Sequence, residues 1–98
     1  MSDVKVPAEL LAVRKKIDET DERLLDLLEE RFELTHWVGV LKANQNLTAF
    51  DETRAAEKLA RLAELSEQRN LNPELVKELF QRIMHQVVKN HESLKSAE

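Results

Sequence analysis

Apolar residues recur every three or four positions from Leu10 to Leu41, and no glycine or proline interrupts them before Gly39. That spacing lays them along one side of a helix, whereas a half-buried strand would alternate at every second position. Pro7 suits a first helical turn and Glu9 suits the positive end of the helix dipole; the pattern breaks off at about Ala43. The polar stretch NQNLTAF, residues 44–50, follows, after which Asp51 can cap a second helix running through LARLAEL to about Arg69. In the loop NLNP, Asn72 can serve as N-cap and Pro73 as first residue of a third helix, VKELFQRIMHQVVKNHESLK, which ends in the polar tail KSAE. Leu79, Ile83 and Val87 form the apolar stripe of that helix, with Phe50 and Phe80 expected to cover the core. The pattern therefore predicts an all-α chain of three helices, one long and two shorter. Residues 1–98 are read as a single domain, with 1–7 and 95–98 as frayed tails.

Composition sharpens this picture. A single Gly and two Pro leave little turn punctuation in 98 residues. With 42% hydrophobic, 35% charged and only 4% aromatic residues, the core must be aliphatic and thin. Cysteine is absent, which rules out thiolate catalysis and a disulfide framework. The opening MSDVKVPAELL lacks the pattern of a secretory signal, and no stretch approaches the ~20 apolar residues of a membrane span. A net charge of -4 disfavours nucleic-acid and anionic-membrane surfaces, so a cytoplasmic protein with neither partner is expected.

Length gives the first functional clue. About 36 helical residues span roughly 54 Å, whereas a compact chain of this size has a radius of gyration near 13 Å. One chain cannot cover such a helix. Its stripe reads Leu10, Arg14, Ile17, Asp21, Leu24, Leu28, Arg31, Thr35, Val38, Lys42, a heptad seam that calls for a partner helix. The simplest partner is the same helix of a second copy, so a two-fold homodimer is predicted.

Three cations lie on that seam: Arg14, Arg31 and Lys42. Each costs several kcal/mol to bury without a counter-charge, and Asp21 is the single acid on the seam. Seventeen residues separate Arg14 from Arg31, about 25 Å along a helix, too far for one small ligand to bridge within one chain. In an antiparallel dimer, Arg14 of one copy can approach Arg31 and Lys42 of the other, which would create two equivalent anion pockets. Asp51 and Arg54 stand at the start of the second helix, where free N–H groups also favour an anion. Gly39 costs about 1 kcal/mol against Ala inside a helix, so a close approach is expected there.

The run LLAVRKKIDETDERLLDLLEERFEL, then VGVLK, then DETR, resembles the all-helical class of chorismate mutases from about Ala8 to Leu94. The resemblance implies three helices per chain intertwined as a homodimer, with no metal or other cofactor. It implies that Arg14, reaching across from the partner subunit, and Arg31 hold the substrate carboxylates. Lys42 would contact a carboxylate and the ether oxygen, while Asp51 and Arg54 would complete the rim near the ring. The implied reaction is the Claisen rearrangement of chorismate to prephenate in aromatic amino-acid biosynthesis, which needs no nucleophile or proton transfer. It needs a reactive conformer held in place and positive charge at the breaking C–O bond.

Two features depart from the family pattern. Many relatives carry an acid directly after the helix-two Arg, and this chain has Ala55, so Asp51 or Glu52 would have to bind the ring hydroxyl. Where many relatives place a small hydroxyl residue and then a Gln four positions on, this chain has Val87 and His91. His91 is expected to take over the donor role at the ether oxygen, most effectively as imidazolium. The missing acid after Arg54 keeps isochorismate pyruvate lyase and 4-amino-4-deoxychorismate mutase as alternatives; a different class is a non-catalytic dimerisation module, in which the cations pair with Asp21 and other acids across the interface. Glu33 and His36 form one Glu-x-x-His, but they lie off the seam and no matching second pair exists, so no metal site is expected.

Overall fold

The computed structural model describes residues 6–48 and 50–96. Three α-helices follow in order: α1 (Ala8–Asn44), α2 (Glu52–Gln68) and α3 (Pro73–Ser96). Among the described residues there is no strand, so the all-α expectation holds. Most of the tails read as 1–7 and 95–98 lies outside the described residues; Val6 and Pro7 are exposed ahead of α1, and the backbone of α3 stays helical to Ser96.

The helix starts follow the sequence cues. The Pro7 carbonyl accepts from the N–H groups of Leu10 and Leu11, at 3.0 and 3.1 Å, and so closes the first turn of α1. The Asp51 side chain, on an extended residue (φ -114°, ψ 99°), accepts from Arg54 N at 3.0 Å and caps α2. Asn72 Oδ1 accepts from Glu74 N at 3.0 Å ahead of Pro73, capping α3.

The helix ends use a device that the sequence reading treated only as polar loop. At the end of α1, Leu47 N donates to Lys42 O (2.7 Å) and Asn46 N to Ala43 O (3.2 Å). At the end of α2, Leu71 N donates to Ser66 O (2.9 Å) and Asn70 N to Glu67 O (3.3 Å). Both are Schellman closures, and each needs a left-handed residue, supplied by Asn46 (φ 56°) and Asn70 (φ 55°). Asparagine tolerates that region better than other side chains, so the chain reverses twice without glycine.

The chain separates into two units at the boundary between Glu33 and Leu34. The first contains the N-terminal part of α1, where Thr20 Oγ1 donates to Lys16 O (2.8 Å) and Arg23 donates to Thr20 Oγ1 (3.0 Å). The second contains the last turns of α1 together with α2 and α3, and α2 packs along α3. Its centre is Ile83, flanked by the half-buried Phe80, Met84 and Val87. Ser66 is buried there too, its hydroxyl satisfied by donation to Leu62 O at 2.7 Å.

Leu79 and Phe50 correct the expected core: both are more than half exposed, at 53% and 52%. Ile83 is the only buried apolar side chain among the described residues, so these three helices enclose very little by themselves. Along α1 the seam residues Leu10, Ile17, Leu24 and Val38 are all exposed. Their apolar area gains nothing until something covers it, at roughly 25 cal/mol per Å².

Candidate active site

The buried titratable group of the second unit is His91, only 4% exposed on α3. Its Nε2 lies 2.7 Å from the Thr35 carbonyl on α1. A carbonyl oxygen can only accept, so Nε2 carries the proton and donates it there. Gly39, one turn beyond Thr35, makes this approach possible: a Cβ at that position would lie 2.9 Å from His91 Nε2 and 2.9 Å from Leu94 Cδ1. The close approach expected at the chain's single glycine is thus made by an imidazole edge. His91 Nδ1 is buried and has no hydrogen-bond partner among the described residues.

Lys42 stands three positions beyond Gly39, on the same side of α1, and is half-buried. Its carbonyl belongs to the Schellman closure, which fixes the backbone from which the side chain springs. Asp51 and Arg54 meet at the start of α2 through the capping bond from Arg54 N, and both side chains are exposed. Val87 lies half-buried one turn before His91. In the first unit Arg14 is exposed and Arg31 is half-buried. Seventeen residues of helix separate these two, about 25 Å, so one chain does not bring them to a common small ligand.

Among the described residues, Arg14, Lys42 and Arg54 make no ion pair, whereas Arg61 pairs with Glu64 (3.3 Å) and Lys77 with Glu74 (3.9 Å). Both of those are exposed neighbours on one helix, worth a few tenths of a kcal/mol at most. Between α2 and α3 lies a cavity of about 500 Å³. Phe50, Ala55, Leu59, Met84 and Val88 form its apolar wall, and Gln81, His85 and Glu92 its polar edge. No Lys or Arg lines it, so a dianion would find no counter-charge within it. Ala55 on that wall is the residue directly after Arg54, where a longer acidic side chain would fill part of the space.

The fold is that of a small all-α protein, with Arg14, Arg31 and Lys42 along its long helix and a capped helix start beside a cavity. The comparison with known families is more specific: a family model described as chorismate mutase type II matches residues 13–92. The chain belongs to that family, and the matched span includes Arg14, Arg31, Lys42, Asp51, Arg54, Val87 and His91.

Among curated proteins it is 37% identical over 79 residues to the T-protein of Enterobacter agglomerans, covering 81% of this chain and 21% of that protein. It is 38% identical over 85 residues to the bifunctional chorismate mutase/prephenate dehydratase of Escherichia coli K12, covering 87% of this chain and 22% of that protein. The chain thus spans about a fifth of the length of the curated relatives it matches. No described helix is long and apolar enough to cross a membrane.

The sequence found the cations, the α2 cap and the close approach at Gly39. It missed Thr35 as the anchor of His91, because a backbone carbonyl leaves no mark on side-chain pattern.

Proposed function

We propose that this chain is a chorismate mutase that works as an intertwined homodimer in the cytoplasm, converting chorismate to prephenate for aromatic amino-acid biosynthesis. The observation that carries this reading is the family match across residues 13–92, which takes in every cation singled out on the charged seam. Two features support it further. The cations Arg14, Lys42 and Arg54 have no ion-pair partner among the described residues, which suits groups whose counter-ion is a ligand. The exposed seam of α1 suits a helix covered by a second copy.

In this mechanism Arg31, with Arg14 from the other copy, grips the two carboxylates and holds the substrate in its reactive conformer. Lys42 places positive charge at the ether oxygen, where negative charge grows as the C–O bond breaks. Asp51 and Arg54 close the rim. Rigid helices fix these groups before the substrate arrives, so little reorganisation accompanies the chemical step. The rearrangement moves electrons within one molecule and asks for no nucleophile, base or metal from the protein.

Ala55 favours keeping a second reading, in which isochorismate or 4-amino-4-deoxychorismate is the substrate, because the position directly after Arg54 carries no acid for the ring hydroxyl and instead lines the α2–α3 cavity. The test is incubation with each of the three compounds and identification of the product. Prephenate from chorismate is expected; release of pyruvate from isochorismate, or turnover confined to the amino compound, overturns the assignment. A purely structural dimerisation module would turn over none of them.

A further inference from the structure

We propose that Nδ1 of His91 is a ligand-binding atom that accepts a hydrogen bond from the ring hydroxyl of a chorismate-class substrate, an inference that rests on the mutase reading above. The imidazole has two nitrogens, and one is already assigned. Nε2 donates to the Thr35 carbonyl at 2.7 Å, and the Cδ2–Nε2 edge of the ring is seated on Gly39. In a five-membered ring the vertex opposite the Cδ2–Nε2 bond is Nδ1, so Nδ1 faces away from the α1 backbone. With the proton on Nε2, and no acceptor at Nδ1 among the described residues to receive a second one, the tautomer that fits this geometry presents an acceptor lone pair at Nδ1.

That acceptor is buried, on a side chain only 4% exposed, with no donor among the described residues. An unsatisfied acceptor sealed from water is costly, and native proteins seldom keep one without a use. A ligand that brings a donor would remove the cost. Chorismate at neutral pH carries two carboxylates, an ether oxygen and one hydroxyl; the carboxylates and the ether only accept, so the hydroxyl is its single O–H donor. The neutral His91 ring therefore complements the hydroxyl and repels the ether oxygen, lone pair against lone pair. Ala55 strengthens the case, because no carboxylate at that position competes for the hydroxyl. His91 thus acts as the hydroxyl-recognition residue, while positive charge at the ether oxygen falls to Lys42. Because Nδ1 is sealed in the single chain, the ligand meets it only as neighbouring side chains turn aside.

Two measurements on the full chain test this. Nitrogen-15 NMR of the imidazole at pH 8 should show the proton on Nε2 and a lone pair on Nδ1, and only the Nδ1 signal should shift strongly when a bicyclic dicarboxylate transition-state analogue is added. Calorimetry should then compare that analogue with its deoxy counterpart, which lacks the ring hydroxyl. In the wild type, loss of the hydroxyl should weaken binding by about 10- to 100-fold, the usual consequence of leaving a buried acceptor unpaired. In His91→Leu the two analogues should bind within about two-fold of each other, and His91→Gln, which keeps an acceptor, should restore part of the preference. A proton found on Nδ1, or equal binding of both analogues to the wild type, overturns the proposal and leaves the mutase reading standing. Failure of the wild type to bind either analogue overturns the mutase reading itself. The NMR result and the wild-type comparison stand even if His91→Leu does not fold.

Discussion

The imidazole of His91 occupies the space that a side chain at Gly39 would need, so a Cβ at 39 and the ring in this position exclude each other. Inside a helix, Gly→Ala ordinarily stabilises by about 1 kcal/mol. Here the sign should reverse. Gly39→Ala should lower stability by about 1–2 kcal/mol in urea unfolding, because the ring must leave the Thr35 carbonyl and a buried donor loses its partner. In a His91→Ala background the same substitution should become stabilising, toward the ordinary helix value. If Gly39→Ala stabilises both backgrounds alike, the ring does not rest on Gly39.

Asp51 caps α2, and its proposed part at the ligand can be separated from that role. Removing the cap with Asp51→Ala should cost about 1 kcal/mol, read as a lower urea midpoint. Asp51→Asn keeps a side-chain oxygen for Arg54 N and should stay within a few tenths of a kcal/mol of the wild type. A fall in kcat/KM for Asp51→Asn, with stability retained, would then report the carboxylate at the ligand. Unchanged kinetics would restrict Asp51 to capping.

Lys42→Ala and Arg14→Ala should each reduce kcat/KM by about 100-fold or more, as expected when a charge facing the transition state is removed. Neither should abolish the dimer. Mixing the two variants gives a sharper outcome, since a heterodimer rebuilds one site from the intact Lys42 of one copy and the intact Arg14 of the other. After re-equilibration of equal amounts, about a quarter of wild-type activity should return, from half the dimers each holding one intact site. No recovery, with exchange verified, would mean that Arg14 serves its own chain or none.

The exposed seam of α1 makes its own prediction. Sedimentation of the wild type should give twice the chain mass at micromolar concentration, and Leu24→Glu should shift the material toward single chains with loss of helix signal. Leu24 is 55% exposed in one chain, where a charge in its place would be harmless. A neutral effect of Leu24→Glu on assembly would remove the seam as the contact.

Much of the fold was legible because its cues are local. Pro7, Asp51, Asn72 and Pro73 mark helix starts through short-range hydrogen bonds, and the structure places the helices within a residue or two of the sequence reading. The ends were less legible: asparagine closes a helix only when the backbone turns left-handed, and Asn46 and Asn70 look like ordinary loop residues in the sequence. The apolar pattern on α3 identified Ile83 correctly, yet it could not foresee that Leu79 and Phe50 would stay open in one chain. Periodicity tells which side of a helix is apolar and not what covers it. His91 was found as a departure from a family pattern, but its orientation depends on Thr35, 56 positions away in the chain.

The two left-handed asparagines also bear on the denatured ensemble. A glycine at either reversal would leave the unfolded chain freer, and that freedom would have to be surrendered on every folding event. With Ile83 the single buried apolar side chain among the described residues, the chain has little burial to set against such a loss. Stiffer reversals at 46 and 70 leave less of that freedom to surrender, and in the proposed homodimer association would supply the remaining stability.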